Sequence, residues 1–258
     1  MTTEHLRFLK KIRRRRRMVV FLRILILFLF LLQWEICADT GVVDSFIFSS
    51  PLKVVRTIGT MWTDGSLIRH TAITLGETAA SFILVILFSF LTATLLWFFH
   101  SLSEILEPWL VILNSLPKSA LAPLLIVWLG ASMRTIIVAG MSVAIFGSII
   151  SMYTAFCEID PEAMKLIYTL GGTKLQVLTK VVIPSNVGSV INAMKVNIGL
   201  CLVGVIIGEF LAASHGLGYL IIYGSQVFKM TYVSMSIVIL CIISTLLFKL
   251  IDVLEKTW

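Results

Sequence analysis

Six apolar stretches, each about as long as the ~20-residue helix that crosses a bilayer, decide what this chain can fold into. They run approximately from Met18 to Cys37, Thr71 to Phe98, Pro108 to Leu129, Thr135 to Phe156, Val187 to Ala213 and Tyr232 to Ile251. Hydrocarbon offers no water to a bare backbone, so a spanning segment must be a helix or a strand of a closed barrel. These stretches are too long and unbroken for the alternating strands of a barrel. The predicted class is an all-α membrane protein with six transmembrane helices. Composition points the same way: of 258 residues, 58% are apolar and 14% charged, against about 25% charged in a soluble domain. That is too little charge to cover a water-facing globule. A cytosolic enzyme, a disordered tail, a collagen and a disulfide scaffold are excluded. Cys37, Cys157, Cys201 and Cys241 lie far apart with no Cys-x-x-Cys, so neither a zinc site nor any other metal site is expected.

The first stretch follows a basic run, as the core of a signal peptide would. Its apolar core is long, and Trp34-Glu35-Ile36-Cys37 offers no Ala-x-Ala cleavage site, so it reads as a retained helix. The net charge of +7 is local: Arg7, Lys10, Lys11 and Arg13 to Arg17 place eight positives in residues 1–17. That segment reads as a basic cytoplasmic tail beside anionic lipid, and 18–258 as the transmembrane domain. No aromatic residues interleave with the run, so nucleic acid is not an expected partner. With the N-terminus inside, six spans return the C-terminus there. The inner side then holds thirteen Lys and Arg and the outer side five, which favours cytoplasmic termini.

Two connections are long enough to hold structure. In the outer one, Asp39 to His70, Ser50-Pro51 followed by Val54, Val55, Ile58 and Met61-Trp62 predicts a short amphipathic helix. The cytoplasmic one spans about 158–184. Asp160 is a candidate N-cap, Pro161 suits the first helical position, and Glu162 suits the positive end of the dipole. Gly171-Gly172 stops that helix, Thr173 and Gln176 form a capping box for the next, and Pro184-Ser185 punctuate its end. A helix, glycine hinge, helix element results, with an apolar stripe of Ala163, Ile167 and Leu170. It either docks on a partner or lies on the membrane surface.

The chain has no Gly-x4-Gly-Lys-Ser/Thr and no His-Glu-x-x-His, so it carries neither a P-loop nor a zinc protease site. Its acids and histidines fall outside the spans or near their ends, with Glu35 and Glu209 near outer ends and Glu77 near a start. A proton-driven carrier usually buries such a group. The sequence describes a pathway without its own engine.

From Lys165 the cytoplasmic element reads Lys165-Leu166-Ile167, three residues, Gly171, nine residues, Val181, one residue, Ile183-Pro184. This resembles the "EAA" loop of the permease subunits of binding-protein-dependent ABC importers, with Lys-Leu-Ile in place of Glu-Ala-Ala. Ser50-Pro51-Leu52-Lys53-Val54, Asp64-Gly65-Ser66-Leu67, Leu116-Pro117-x-x-Ala120-x-x-Pro123-Leu124, Trp128-x-Gly130, Gly208-Glu209-Phe210-Leu211 and Gly216-Leu217-Gly218-Tyr219-Leu220-Ile221 are similar to the nitrate, sulfonate, taurine and bicarbonate branch of that superfamily. The branch also includes riboflavin and thiamine-precursor systems. The resemblance implies the fold of the methionine importer's membrane subunit, a type I ABC importer fold with a cytoplasmic coupling helix, in a bacterial inner membrane. It implies a homodimer or a pair with a similar permease subunit, an ATP-binding subunit dimer inside, and an extracellular or periplasmic solute-binding protein. ATP and Mg would sit on the ATPase, and this chain would hold no cofactor and catalyse nothing. The coupling residues would be Asp160, Glu162, Lys165, Leu166, Ile167, Gly171, Gly172, Val181, Ile183 and Pro184. An importer of amino acids or metal chelates, and a self-contained secondary transporter, are the alternatives.

Candidate path residues sit on two spans. Asn114, Pro117, Lys118 and Pro123 break the third, and interrupted helices at membrane depth line transport sites or are filled by neighbours. In the fifth, Gly188, Asn192, Lys195 and Gly199 recur at helical spacing. Lys195 either faces a central cavity, where its charge would suit an anion, or snorkels to the headgroups. Glu209, Gly216 and Gly218 lie at the outer mouth, as a face for the binding protein or as a rim where Glu209 pairs with Arg134 or Lys229.

Overall fold

The computed structural model describes residues 3–41 and 49–256, without the side chains at 3–11, 13, 254 and 256. The side chains of Arg7, Lys10, Lys11 and Arg13 in the basic tail, and part of the outer connection at 42–48, therefore lie outside the described residues. The elements are α1 (Thr3–Asp39), α2 (Pro51–Thr63), α3 (Ser66–Phe98), α4 (His100–Ser115), α5 (Lys118–Leu129), α6 (Met133–Cys157), α7 (Pro161–Thr169), α8 (Lys174–Val177), a π turn (Leu178–Val182), α9 (Ile183–Ser185), α10 (Val187–Ala212), α11 (Leu217–Gln226) and α12 (Met230–Lys256). Five helices, α1, α3, α6, α10 and α12, are long and apolar enough to cross a membrane. A sixth crossing arises when α4 and α5, bent by 95° at their junction, are taken as one span.

The bend falls at Leu116-Pro117, between the two helices. Pro117 caps α5, whereas Pro108 and Pro123 sit inside helices without ending them. A proline removes one rung of the hydrogen-bond ladder, and here only the one at the junction turns the chain. The amphipathic helix expected on the outer side is α2, with Ser50 accepting from the Lys53 N–H and Pro51 in the first turn. Asp64 then accepts from the Ser66 N–H at 2.8 Å and the Ser66 hydroxyl at 2.6 Å. Those two bonds hold the exposed Asp64 carboxyl below the usual carboxylate range.

The helices α3, α6 and α10 form the centre. Where α6 and α10 meet on their outer halves, glycines bring the backbones together: a Cβ on Gly204 would stand 2.8 Å from Gly140 Cα and 2.9 Å from the Ala139 carbonyl oxygen. A Cβ on Gly208 would lie 3.0 Å from Ile136 Cα. Such small-residue contacts let membrane helices pack on van der Waals contact alone. Ser81 and Ser89 of α3, both fully buried, donate to the Ile137 and Ile145 carbonyls of α6 at 3.1 and 3.4 Å. One apolar cluster joins α2, α11 and α12 at the outer end through Met61, Leu217, Leu220 and Met235. A second joins α3, α6 and α10 to the turns around α8 at the opposite end through Ala93, Met152, Phe156, Val177, Leu178 and Val182. By contrast α1 is bare along its apolar length, touching the rest mainly at its end, where Glu35 accepts from the Leu52 N–H at 2.9 Å.

Candidate functional site

The segment from Asp160 to Pro184 folds as its local signals dictate. Asp160 accepts from the Glu162 N–H at 2.9 Å and Pro161 opens α7. The helix stops in a Schellman motif: the Gly171 N–H donates to the Tyr168 carbonyl at 3.0 Å and the Gly172 N–H to the Ile167 carbonyl at 2.8 Å. Gly171 sits at φ +78°, a left-handed conformation that favours glycine. A Cβ on Gly172 would lie 2.7 Å from the Ile167 carbonyl oxygen. The capping box is present, with Thr173 and Gln176 each accepting from the other's backbone.

This element has two faces. On one, Val177 and Val182 are fully buried against α3, α6 and α10. Full burial of one such side chain contributes roughly 1.5–3 kcal/mol. Lys174 adds a polar tie, donating to the Phe98 carbonyl at the end of α3 at 2.5 Å with its ammonium over the Trp97 and Phe98 rings. A cation at a helix C-terminus is favourable. On the other face Leu166, Leu170 and Leu175 are 61%, 76% and 58% exposed. Lys165 is exposed beside them, as are Asp160, Glu162 and Pro184, while Ile167, Val181 and Ile183 are half-buried.

Next to this element α6 and α10 together line a cavity of about 590 Å³. One wall is Gly147, Ser148, Ser151, Thr154, Ala155 and Glu158 of α6; the other is Ser189, Asn192, Ala193, Val196, Asn197 and Leu200 of α10. Deep inside, the Asn197 amide donates to Ser148 Oγ at 2.7 Å. Asn114 lies at the edge, its Oδ1 3.3 Å from where a Gly147 side chain would begin. The α6 wall escaped the sequence reading. Its signal is present, since residues 147, 148, 151, 154, 155 and 158 recur at the three-to-four spacing of one helix face.

The expected path residues separate. Asn192 lines the cavity, but Lys195 and Gly199 face α12 across a small gap. At roughly 100° per residue, Asn192 is the seam between those faces. Lys195 does not line the cavity: its ammonium lies 3.0 Å from Asp252 Oδ1, bonds Glu255 Oε2 near the end of α12, and sits over the Phe248 ring. Lys118 is likewise taken up by backbone, donating to the carbonyls of Leu113, Asn114 and Leu116 at 2.8, 2.6 and 3.1 Å. It thereby caps the end of α4, and Pro117 beside it makes the bend.

The outer mouth also departs from expectation. Glu209 does not face outward: it is fully buried, with Oε1 accepting from the Thr74 hydroxyl at 2.7 Å and Oε2 from the Gly218 N–H at 2.5 Å. The Thr74 oxygen in turn accepts from the Leu217 N–H at 2.8 Å, and His70 Nδ1 from the Gly216 N–H at 2.9 Å. Among the described residues Glu209 forms no ion pair with Arg134 or Lys229. Gly216, at φ +120°, and Gly218 are glycines because the carboxyl occupies their side-chain space: a Cβ on either would lie 2.5 or 2.7 Å from a Glu209 oxygen. Glu77, 2% exposed, lies against the same carboxyl with its Oε2 unpartnered. The spans thus bury two acids that the sequence placed at their ends, away from the cavity. Among the described residues no cluster of three His, Cys, Asp or Glu side chains is placed to hold a metal ion.

Residues 86–257 match the model of a family described as the binding-protein-dependent transport system inner membrane component. A probable ABC transporter permease protein of Haemophilus influenzae is 30% identical over 233 residues, 89% of this chain and 93% of that protein. The formylaminopyrimidine transport permease protein ThiX of Halalkalibacterium halodurans is 27% identical over 187 residues, 72% of this chain and 74% of that protein. Among solved structures, a chain from inward facing conformations of the MetNI methionine ABC transporter superposes with a TM-score of 0.68 at 21% identity, covering 77% of this chain and 97% of that one.

Proposed function

Since this chain belongs to the family of binding-protein-dependent transport system inner membrane components, we propose that the α6–α10 cavity is its half of a solute path and α7–α9 the handle by which a partner ATPase moves it. The chain is a multi-pass inner-membrane permease of the ABC importer class. In the proposed assembly two permease chains, identical or similar, enclose the path between them. An ATP-binding dimer holding ATP and Mg docks on the cytoplasmic side, and a solute-binding protein delivers cargo outside. Both termini are cytoplasmic.

The observation that carries this reading is the two-faced element after α6. One face is keyed by Val177, Val182 and Lys174 into the spans, and the other leaves three leucines bare in a connection outside them. Apolar side chains so placed on a rigid helix suit a groove on a second protein. Lys165, where the resembling loop carries a glutamate, sits on the rim and reverses one polar contact without removing the apolar ones. The glycine-closed outer half and the open inner cavity correspond to access from the cytoplasm.

The test is to purify the chain with its ATP-binding subunits in lipid nanodiscs and measure hydrolysis stimulated by the loaded binding protein. Gly171→Trp, which breaks the turn between α7 and α8, is expected to abolish stimulation while the spans remain folded. Stimulation equal to the unmodified complex overturns the docking assignment.

A further inference from the structure

We infer that the α6–α10 cavity passes an uncharged, hydrogen-bonding solute and not a fixed anion, an inference that rests on the importer reading above. The lining supplies hydroxyl and amide groups from Ser148, Ser151, Thr154, Ser189, Asn192 and Asn197, and no Lys, Arg or His. Its single charge, Glu158, is negative and stands at the end nearest α7. An anion leaving water is best met by an opposite charge; this surface offers none, and Glu158 adds a repelling one.

The two lysines within the spans do not fill that need. Lys195 is held by Asp252 and Glu255 on the far side of α10, and Lys118 by three carbonyl oxygens at the end of α4. Turning either into the cavity would give up these bonds, to two carboxylates or to a set of helix-end carbonyls. The lining groups, in contrast, are available. Elsewhere Thr78, Thr169 and Thr245 bond back to their own helix. Among the described residues the side chains of Ser151, Thr154, Ser189 and Asn192 have no protein partner. They present donors and acceptors in equal measure, which suits a neutral molecule bearing both. The volume of about 590 Å³ lies in the ordinary range for small-molecule pockets and exceeds what an inorganic oxyanion would fill.

The experiment uses the complete assembly, this chain with its ATP-binding subunits and binding protein, in proteoliposomes. Two labelled probes are compared, the uncharged formylaminopyrimidine and the anion ethanesulfonate, with ATP and without. Expected is ATP-driven accumulation of formylaminopyrimidine at least about tenfold above ethanesulfonate. In Asn192→Lys and Asn192→Asp alike it should fall by about tenfold, since either charge is unpaired in the lining; Asn192→Gln should retain it. Ethanesulfonate accumulating as fast as the neutral probe in the unmodified chain overturns the inference and leaves the importer reading standing. Accumulation of either probe independent of ATP overturns the importer reading itself.

Discussion

The outer and inner halves of the α6–α10 pair are built from the same two helices and behave as opposites. On the outer half, Gly140, Gly204 and Gly208 bring backbones into contact, and the turn beyond is tied down by Glu209 through Thr74 and Gly218. On the inner half the same helices carry serine, threonine and asparagine, which line a cavity. Membrane helices lack a hydrophobic drive to associate, so contact follows small side chains and satisfied polar groups. On the inner half Met152 and Phe156 still pack with Ala193, and the polar side chains line the cavity beside that contact. The contrast shows one helix pair in close backbone contact at one end and lining a cavity at the other, set by side-chain size and by which polar groups are satisfied.

Five substitutions, one of them a control, break or sharpen that contrast. The largest effect is expected from Glu209→Ala, which leaves the Thr74 hydroxyl and the Gly218 N–H without their acceptor in a buried site. Thermal unfolding in nanodiscs should show a loss of about 2–4 kcal/mol, and an unchanged transition would mean the outer tie holds nothing. Next comes Gly204→Ala, which drives a methyl into the Gly140 backbone and should cost about 1–3 kcal/mol. Its control is Gly199→Ala, five residues earlier on α10 with nothing within 4 Å, expected to be neutral or stabilising by up to about 1 kcal/mol. Equal losses at both glycines would erase the distinction between sealed and open halves. Gly171→Ala places a side chain at φ +78° and should cost about 1 kcal/mol, confined to the α7–α8 turn. Hydrogen exchange should detect it there and not in α3. Smallest is Ser148→Ala, which removes the Asn197 partner inside the cavity at about 1 kcal/mol or less; a larger loss would make that bond part of the seal.

Much of this was legible in the chain, and the gaps have one cause. The apolar stretches, the Ser50 and Asp160 caps, the Thr173–Gln176 box and the stop at Gly171 are local, set by residues within a few positions of each other. The structure has all of them. Lys195 shows what local pattern cannot supply. Its spacing assigns it a helix face, but not that α12 covers that face with Asp252 and Glu255, 57 and 60 residues away. Glu209 failed for the same reason, because Thr74, 135 residues distant, makes its burial tolerable. Three prolines in the third stretch look equivalent as sequence. Only the one at the junction, where Lys118 caps the exposed carbonyls, turns the chain.

The π turn at Leu178–Val182 bears on how motion would travel through the molecule. The buried face of the α7–α9 element is stiff, with Val177 and Val182 immobilised and Lys174 clamped to the end of α3. A displacement applied to its bare leucines therefore arrives at α3 almost undiminished. The route to α10 is double. Along the backbone it passes through five residues wound wider than an α-helix, while Ala193 of α10 packs directly in the same cluster as Val177, Leu178 and Val182. If a partner pushes on the bare leucines, the packed face would carry that push into α3, α6 and α10 together, and the wider-wound turn would take up the strain along the backbone.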